Sequence, residues 1–452
     1  MDHVMGKGRI VVIGSGAAGT GAARSLAASG WAVTVAERDR VGGTCLWRGC
    51  MPKKALYNAA RAWRSAEQAE MFGIEGGRGF DWQSVLAWKW HSQETYAGDQ
   101  EAAFVDRGIK LVKGDARFAS PDTVEIDGVL FPFDHAIVAS GSRPLVPDIP
   151  GIELADTSAD ALSYRDPPAS FLVVGGGFIG IELATVFASF GSDVTVITGG
   201  NRPLEMLDEE ISAIALGRLE RLGVTLHSSC RLESLGGVRG AVSARFADGD
   251  GRPYERTWER VLLAVGRVPA LGELDLAAGG IEVDGRGLIR VDGAQRTTNP
   301  QVWVAGDAAG GRMQTPIANY QGRTVASSID SGSPVEPDDS MVPTCLFTTP
   351  QVAQVGLTEA HARAAGIEIT IGRASFEFLG AAVIEDERDG LVKLVFAKED
   401  GRLLGAHIAG PTASDLVYAM AVAIRCGATQ ETLGEAIGIH PAFCEALNWA
   451  AG

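Results

Sequence analysis

The chain has 452 residues, too many for one ordinary domain and about right for three. Hydrophobic residues make up 46% and charged residues 21%, as in a soluble globular protein that buries large cores. The net charge of −16 argues against a nucleic-acid partner and against anionic membrane surfaces. Met1 to Gly8 holds no long apolar region, so no secretory signal is expected. No stretch approaches ~20 uninterrupted apolar residues, so no membrane span is expected, and the chain reads as cytoplasmic. Six cysteines in so long a chain are not a disulfide scaffold.

Arg9 to Ile13 reads as a buried strand. A glycine turn, Gly14 to Gly19, follows, then a small-residue helix from Thr20 to Ser29 and a second strand from Ala32 to Ala36, ended by Glu37. This is the strand–turn–helix–strand context that the GxGxxG pattern requires. Gly14 allows the tight turn, Gly16 lets a pyrophosphate approach the backbone, and Gly19 lets the helix pack close to the sheet. The helix N-terminus then faces the phosphates, and Glu37 is placed to accept from a ribose diol.

Cys45 and Cys50 come next, in the run Gly42 to Lys54. On a regular helix their Cα atoms would stand roughly 8–9 Å apart, beyond the ~7 Å that a disulfide spans. The helix must be distorted there, and Gly49 and Pro52 make that plausible. The pair reads as redox-active, because a strained disulfide is easily reduced. A structural bond would gain little from so short a loop. Zinc would need two more ligands, and Cys230, Cys345, Cys426 and Cys444 form no second close pair, so no metal is expected. Trp82, Trp88 and Trp90 read as packing residues. Trp47, between the two cysteines, either shapes the pocket of the pair or packs.

The first pattern then recurs. Phe171 to Val174 is a strand, Gly175 to Gly180 the turn, Ile181 to Phe190 the helix, and Asp193 to Ile197 the next strand. Gly175, Gly177 and Gly180 stand in the turn's three glycine positions. Two such units imply two dinucleotides, and the natural pair is FAD with NADPH or NADH, hydride passing between their rings. After the second strand, Thr198 to Glu205 carries neither an acid for a ribose hydroxyl nor a basic cluster for a 2′-phosphate. Arg202 gives a slight lean to NADPH, although Glu205 would oppose it.

Further segments complete a resemblance. Ile137 to Pro144, with Ser140 and Gly141, is similar to the close of a first FAD region. Ala264 to Pro269, with Arg267, is similar to the exit from an NAD(P) domain. Val302 to Asp307, with Gly306, is similar to a second FAD motif whose aspartate binds the ribityl chain. Phe347 to Pro350 and Val355 to Glu359 are similar to the opening of a dimerisation domain, and His440 to Glu445 to a C-terminal catalytic segment. In order along nearly the whole chain, these motifs resemble the flavoprotein disulfide reductases, which include glutathione reductase, dihydrolipoamide dehydrogenase and mercuric reductase.

The resemblance implies an α/β architecture with two Rossmann-like dinucleotide-binding domains, for FAD and NAD(P), and a C-terminal α+β dimerisation domain. The FAD domain would be residues 1–148 and 270–338, the NAD(P) domain 149–269 and the interface domain 339–452, with junctions at Pro144 to Pro150 and Ser331 to Pro337. Gly43 and Thr44 would join the FAD site. Cys50 would be the thiolate beside the flavin and Cys45 the interchange thiol that attacks the substrate. His440 would be the base, oriented by Glu445. Lys54 would lie beside the flavin with Glu182 as its carboxylate partner, and Phe178 would cover the nicotinamide pocket. Lys53 reads as part of a solvated helix face. The active sites would be shared between the subunits of a homodimer, acting on a small-molecule disulfide.

The run Arg48 to Lys54 resembles glutathione-type reductases. The single glutamate in His440 to Ala446 looks more like dihydrolipoamide dehydrogenase, and Ala442 replaces the usual threonine. No terminal cysteine pair follows, which speaks against mercuric reductase. Cys444 reads as a small buried residue or a third thiol. Three alternatives stand beside a disulfide reductase: dihydrolipoamide dehydrogenase; a quinone, metal or electrophile reductase; and a non-catalytic flavin-binding protein with a partner-binding role, against which the complete Cys–Cys–His–Glu set argues.

Overall fold

The computed structural model describes residues 7–77 and 79–452. Most of the segment read as lacking a leader, residues 1–6, lies outside the described residues. The chain gathers into two compact units. The first draws on Met1–Ala55, Leu86–Leu145 and Gly266–Asp339; the second draws on Leu56–Val85, Val146–Val265 and Ser340–Gly452.

The first unit is built on a five-stranded parallel sheet. Its order is Val302–Val304, His135–Val138, Arg9–Ile13, Ala32–Glu37 and Lys110–Lys113. The inner strands Arg9–Ile13 and His135–Val138 are apolar nearly throughout, as a strand covered on both faces must be. Helices Ala17–Ala28 and Thr315–Ser331 lie close together. A Cβ on Gly322 would stand 2.2 Å from Ala18 O, which is why this pair of helices uses small residues. The first helix begins at Ala17, three residues before the expected Thr20, because Gly16 is its extended N-cap and the end of the turn is already helical.

The second unit repeats the parallel pattern in four strands, ordered Thr225–His227, Asp193–Ile197, Ser170–Val174 and Arg260–Leu263. Helix Phe178–Ser189 again starts earlier than expected, after the N-cap Gly177. The same unit holds a five-stranded antiparallel sheet, ordered Thr344–Leu346, Gln351–Gly356, Leu403–Gly410, Leu391–Ala397 and Ile369–Ser375. Helices Ala413–Arg425 and Glu445–Ala451 share its core, with Cys444 packed half-buried against the same cluster.

One buried ion cluster ties helix Glu209–Arg221 to this sheet. Lys393 Nζ lies 2.9 Å from Asp208, 2.6 Å from Glu210 and 3.0 Å from Glu359. Asp208 is also the N-cap of that helix and accepts from Glu210 N.

Trp82 is buried and donates its indole N–H to Tyr164 O. Trp88 and Trp90, expected to pack, are instead 60% and 39% exposed. They lie on a 25-residue helix, Trp82–Asp106, on either side of buried Lys89. No helix among the described residues is long and apolar enough to cross a membrane.

Candidate active site

The first glycine turn divides its work by position. Gly14 has φ +105°, and a Cβ there would stand 2.4 Å from Ala139 O. A Cβ on Gly19 would stand 1.9 Å from Gly14 O, so the helix closes directly on the turn. A Cβ on Gly16 would meet nothing within 4 Å, which leaves an open approach to the backbone. Glu37 is buried at the end of its strand and accepts from Ser15 N at 2.9 Å and Ser15 Oγ at 2.6 Å. Gly43, with φ +58°, comes against Gly16, so the helix that carries the thiols starts beside the turn. Thr44 lies in its first turn.

The thiol helix is broken, as the spacing required. Gly43–Arg48 is one helix, Gly49 leaves it at φ −148° and ψ −112°, and Cys50–Glu67 is the next. Both Cys45 and Cys50 are thiols in this structure. The Cys45 thiol is pushed well above its ordinary value, first by its hydrogen bond with the Cys50 side chain and then by burial. Cys50 is exposed and lies 3.2 Å from the Thr315 hydroxyl. It also falls within the electrostatic reach of Arg267. The two thiols meet across the break at Gly49, and the Thr315 hydroxyl lies within reach of both.

Around this pair the first unit assembles residues from remote parts of the chain. Arg267 donates from Nε to Ser142 Oγ at 2.7 Å and from Nη2 to Ser142 O at 2.8 Å. Ser142 Oγ in turn donates to Asp307 Oδ2 at 2.5 Å. Burial pulls the Arg267 guanidinium down, and Asp307 and Cys50 oppose that. Gly306, at φ +71°, puts Asp307 at the end of Val302–Val304, and its N–H donates to buried Gln321. Gly141 is left-handed at φ +75°. The neighbouring Ser140 Oγ is buried with no hydrogen-bond partner. Ser15, Ser142 and Thr315 had no part in the motif reading. Ser15 and Ser142 lie inside segments the sequence singled out, whereas Thr315 carried no signal.

Trp47 packs. It is buried, donates to Val41 O at 2.8 Å and carries the Arg40 guanidinium 3.4 Å above its ring. Lys53 is buried rather than solvated, and Lys54 is half-buried. Successive helical residues point about 100° apart, so Lys53 and Lys54 reach different surroundings.

In the second unit the other turn repeats the first. Gly175 has φ +123° and would clash with Ala264 O at 2.2 Å, Gly180 would clash with Gly175 O at 2.1 Å, and Gly177 opens onto free space. Phe178 is half-buried at the helix start. Glu182 is buried and accepts from Phe347 N at 2.9 Å.

The lean towards NADPH loses its residue. Arg202 donates to Pro203 O, Leu204 O, Leu207 O and Ser212 Oγ, so its guanidinium holds its own loop together. Glu205 turns back to accept from Asn201 N at 2.7 Å. The arginine and the acid are both spent on the turn.

His440 Nδ1 and Glu445 Oε1 lie 2.8 Å apart, and Glu445 Oε2 accepts from Ala442 N at 2.9 Å. A carboxylate only accepts, so Nδ1 carries the hydrogen and Nε2 is the acceptor of the ring. The Ala442 N–H first, and His440 second, hold the Glu445 carboxyl below the usual carboxylate range. The His440 side chain is 76% exposed.

Residues 8–322 match the pyridine nucleotide-disulphide oxidoreductase family model, and residues 342–451 match the dimerisation domain of that family. The chain belongs to the pyridine nucleotide-disulphide oxidoreductases. It is 36% identical to a dihydrolipoyl dehydrogenase of Halobacterium salinarum, covering 98% of this chain and 95% of the relative. It is 31% identical to a glutathione reductase of Burkholderia cepacia, covering 96% of each. Among solved structures it superposes on the HOCl-induced flavoprotein disulfide reductase RclA from Escherichia coli. That match has a TM-score of 0.88 and 26% identity, over 98% of this chain and 99% of the other.

This pyridine nucleotide-disulphide oxidoreductase is an NAD(P)H-dependent flavoenzyme, and its family uses FAD and NAD(P)H. The residues present fit both groups. Gly16 and Gly177 open where a pyrophosphate must approach, and Glu37 lies buried at the strand end. Ser140 Oγ is buried without a partner just past the strand that pairs with Val302–Val304. The chain also carries a dimerisation domain over residues 342–451.

Proposed function

We propose that the Cys45–Cys50 pair carries two electrons between NAD(P)H and a small-molecule disulfide, with His440 as acid and base. The observation that carries this reading is the meeting of two thiols across the break at Gly49, where Cys50 lies 3.2 Å from the Thr315 hydroxyl and within the field of Arg267. FAD and NAD(P)H supply hydride chemistry and the two electrons. His440 Nε2 takes the Cys45 proton, and the thiolate attacks one sulfur of the substrate. The first product thiolate leaves with that proton. Cys50, as the thiolate, then attacks the Cys45 sulfur; the second product leaves as a thiolate that takes its proton from solvent, and the pair becomes a disulfide.

The proposal assigns Gly14, Gly16, Gly19, Glu37, Gly43, Thr44, Ser140, Gly141, Gly306 and Asp307 to FAD, with Arg267 beside them. It assigns Gly175, Gly177, Gly180 and Phe178 to the nicotinamide nucleotide. Lys54 with Glu182 serves the flavin ring. The domain division remains 1–148 with 270–338, 149–269 and 339–452, and the location cytoplasmic. The active form is a homodimer with shared sites. In its support, His440 is exposed on the single chain, and its neighbours Ile437 and Ile439 are 101% and 74% exposed. Oxidation of dihydrolipoamide with NAD is the second reading, favoured by relatives named dihydrolipoyl dehydrogenase at up to 36% identity.

The test is NADH and NADPH oxidation against glutathione disulfide, lipoamide, other low-molecular-weight disulfides and quinones, with dihydrolipoamide and NAD in the reverse direction. Turnover of one disulfide identifies the substrate, and turnover of quinones alone sinks the reading. His440→Gln lowers disulfide turnover by about 10²-fold, since it removes general acid–base help. Flavin reduction by NAD(P)H in a stopped-flow instrument stays near wild type. With Arg202 and Glu205 committed to their loop, NADH and NADPH differ by less than about tenfold in kcat/KM, about 1.4 kcal/mol. Arg202→Ala leaves that ratio unchanged; a large fall with NADPH alone would contradict the locked loop.

A further inference from the structure

The last carbonyls of a helix have no partners within it. Two of those on helix Gly43–Arg48 are met from another stretch of the same unit. Gln93, in helix Trp82–Asp106, donates from Nε2 to Leu46 O at 2.7 Å and to Trp47 O at 3.3 Å. The nitrogen must face the carbonyls, because only it can donate. Gln93 is fully buried, and its Oε1 has no hydrogen-bond partner. A half-satisfied buried amide is a poor packing residue, so the side chain is present for its donor.

What the donor does follows from helix geometry. In an unbroken helix, Leu46 O would accept from Cys50 N and Trp47 O from Met51 N. Such a helix would hold the two cysteines too far apart to bond. Gln93 occupies those acceptors. The Cys50 N–H turns instead to the Cys45 sulfur. The helix ends, and Cys50 comes beside Cys45. The other sides of the short helix are already held by the Trp47 contacts with Val41 and Arg40.

We propose that Gln93 is a positioning residue for the thiol pair, keeping the helix broken between Cys45 and Cys50 so that the dithiol is arranged for oxidation. This rests on the reading of the pair as redox-active. The experiment equilibrates the FAD-loaded enzyme with glutathione and glutathione disulfide. Cys45 and Cys50 together lose two electrons and two protons and gain an S–S bond, while one glutathione disulfide becomes two thiols. Alkylation and mass spectrometry read the fraction oxidised.

Gln93→Met keeps the bulk and removes the donor. It shifts the equilibrium about tenfold towards the dithiol, about 30 mV for a two-electron couple. An unchanged equilibrium in a folded, FAD-loaded variant overturns the proposal. Should Gln93→Met not fold, Gln93→Glu answers the same question. Its carboxyl donates only when protonated, so its offset from wild type shrinks as the pH falls. An offset that does not vary with pH overturns the proposal. If the wild-type pair forms no disulfide at any glutathione ratio, the redox reading itself fails. That result is distinct from a variant that matches an oxidisable wild type.

Discussion

Cys45→Ser lowers disulfide turnover by on the order of 10⁴-fold or more, the scale seen when a nucleophile is removed. A serine hydroxyl ionises far above neutral pH and attacks sulfur poorly, and Cys50 is occupied as the resolving thiol. NAD(P)H oxidation with a one-electron dye persists, because that route needs no thiol. Cys50→Ser fails differently: Cys45 still attacks once, and the mixed disulfide accumulates as a stable adduct visible by intact mass. Steady-state assays with the identified disulfide, beside single-turnover mass spectrometry, separate the two. If Cys45→Ser keeps wild-type turnover of the natural acceptor, the thiols are bystanders and the enzyme is a quinone, metal or electrophile reductase.

Lys393→Met destabilises the second unit by about 3–5 kcal/mol at neutral pH, the cost of leaving buried charge unpaired. Lys393 is 4% exposed, and Asp208, Glu210 and Glu359 all lie within 3.0 Å of it. Burial first, and Lys393 among the nearby charges, lower the pKa of neighbouring His407. Arg373 and Arg363 approach the cluster only from its outer side. The sign with pH follows from Glu210. Hydrogen bonding to Arg373 first, with help from Lys393 against burial, lowers its pKa to about 2. A lowered carboxylate contributes stability that is full above its unfolded value near ~4.3 and fades as the pH falls towards about 2. The gap between wild type and variant in a urea melt therefore narrows in acid. Asp208→Asn added to Lys393→Met recovers part of the loss. A variant as stable as wild type at pH 7 would mean that the cluster holds nothing together.

The glycine turns and the split thiol helix were legible because each is a local pattern with a geometric need. Gly14, Gly19, Gly175 and Gly180 have no room for a side chain, and their spacing records it. The break at Gly49 followed from the reach of a disulfide against the pitch of a helix. Residues that act across the chain left no such mark. Thr315 reaches Cys50 from 265 positions away and Gln93 reaches Leu46 from 47, with nothing in the intervening sequence to tie them. Arg202 misled for another reason: a charge in the right interval says nothing about where its guanidinium points. Lys53 and Lys54 differ only in helical phase, which sequence spacing does not rank.

The order in which these strands leave the ribosome differs from the order in which they lie. In the first sheet His135–Val138 is flanked by Arg9–Ile13 and by Val302–Val304, the last made more than 160 residues later. The four strands between Ser170 and Leu263 close their own sheet within one continuous stretch. During synthesis the later sheet is complete first, while the earlier one waits with an open edge. Asp307 and Thr315 arrive with the missing strand, so a nascent chain has both cysteines long before it has their surroundings. The growing polypeptide thus spends much of its synthesis with a thiol pair that lacks the hydroxyl and the guanidinium placed beside it in the finished fold.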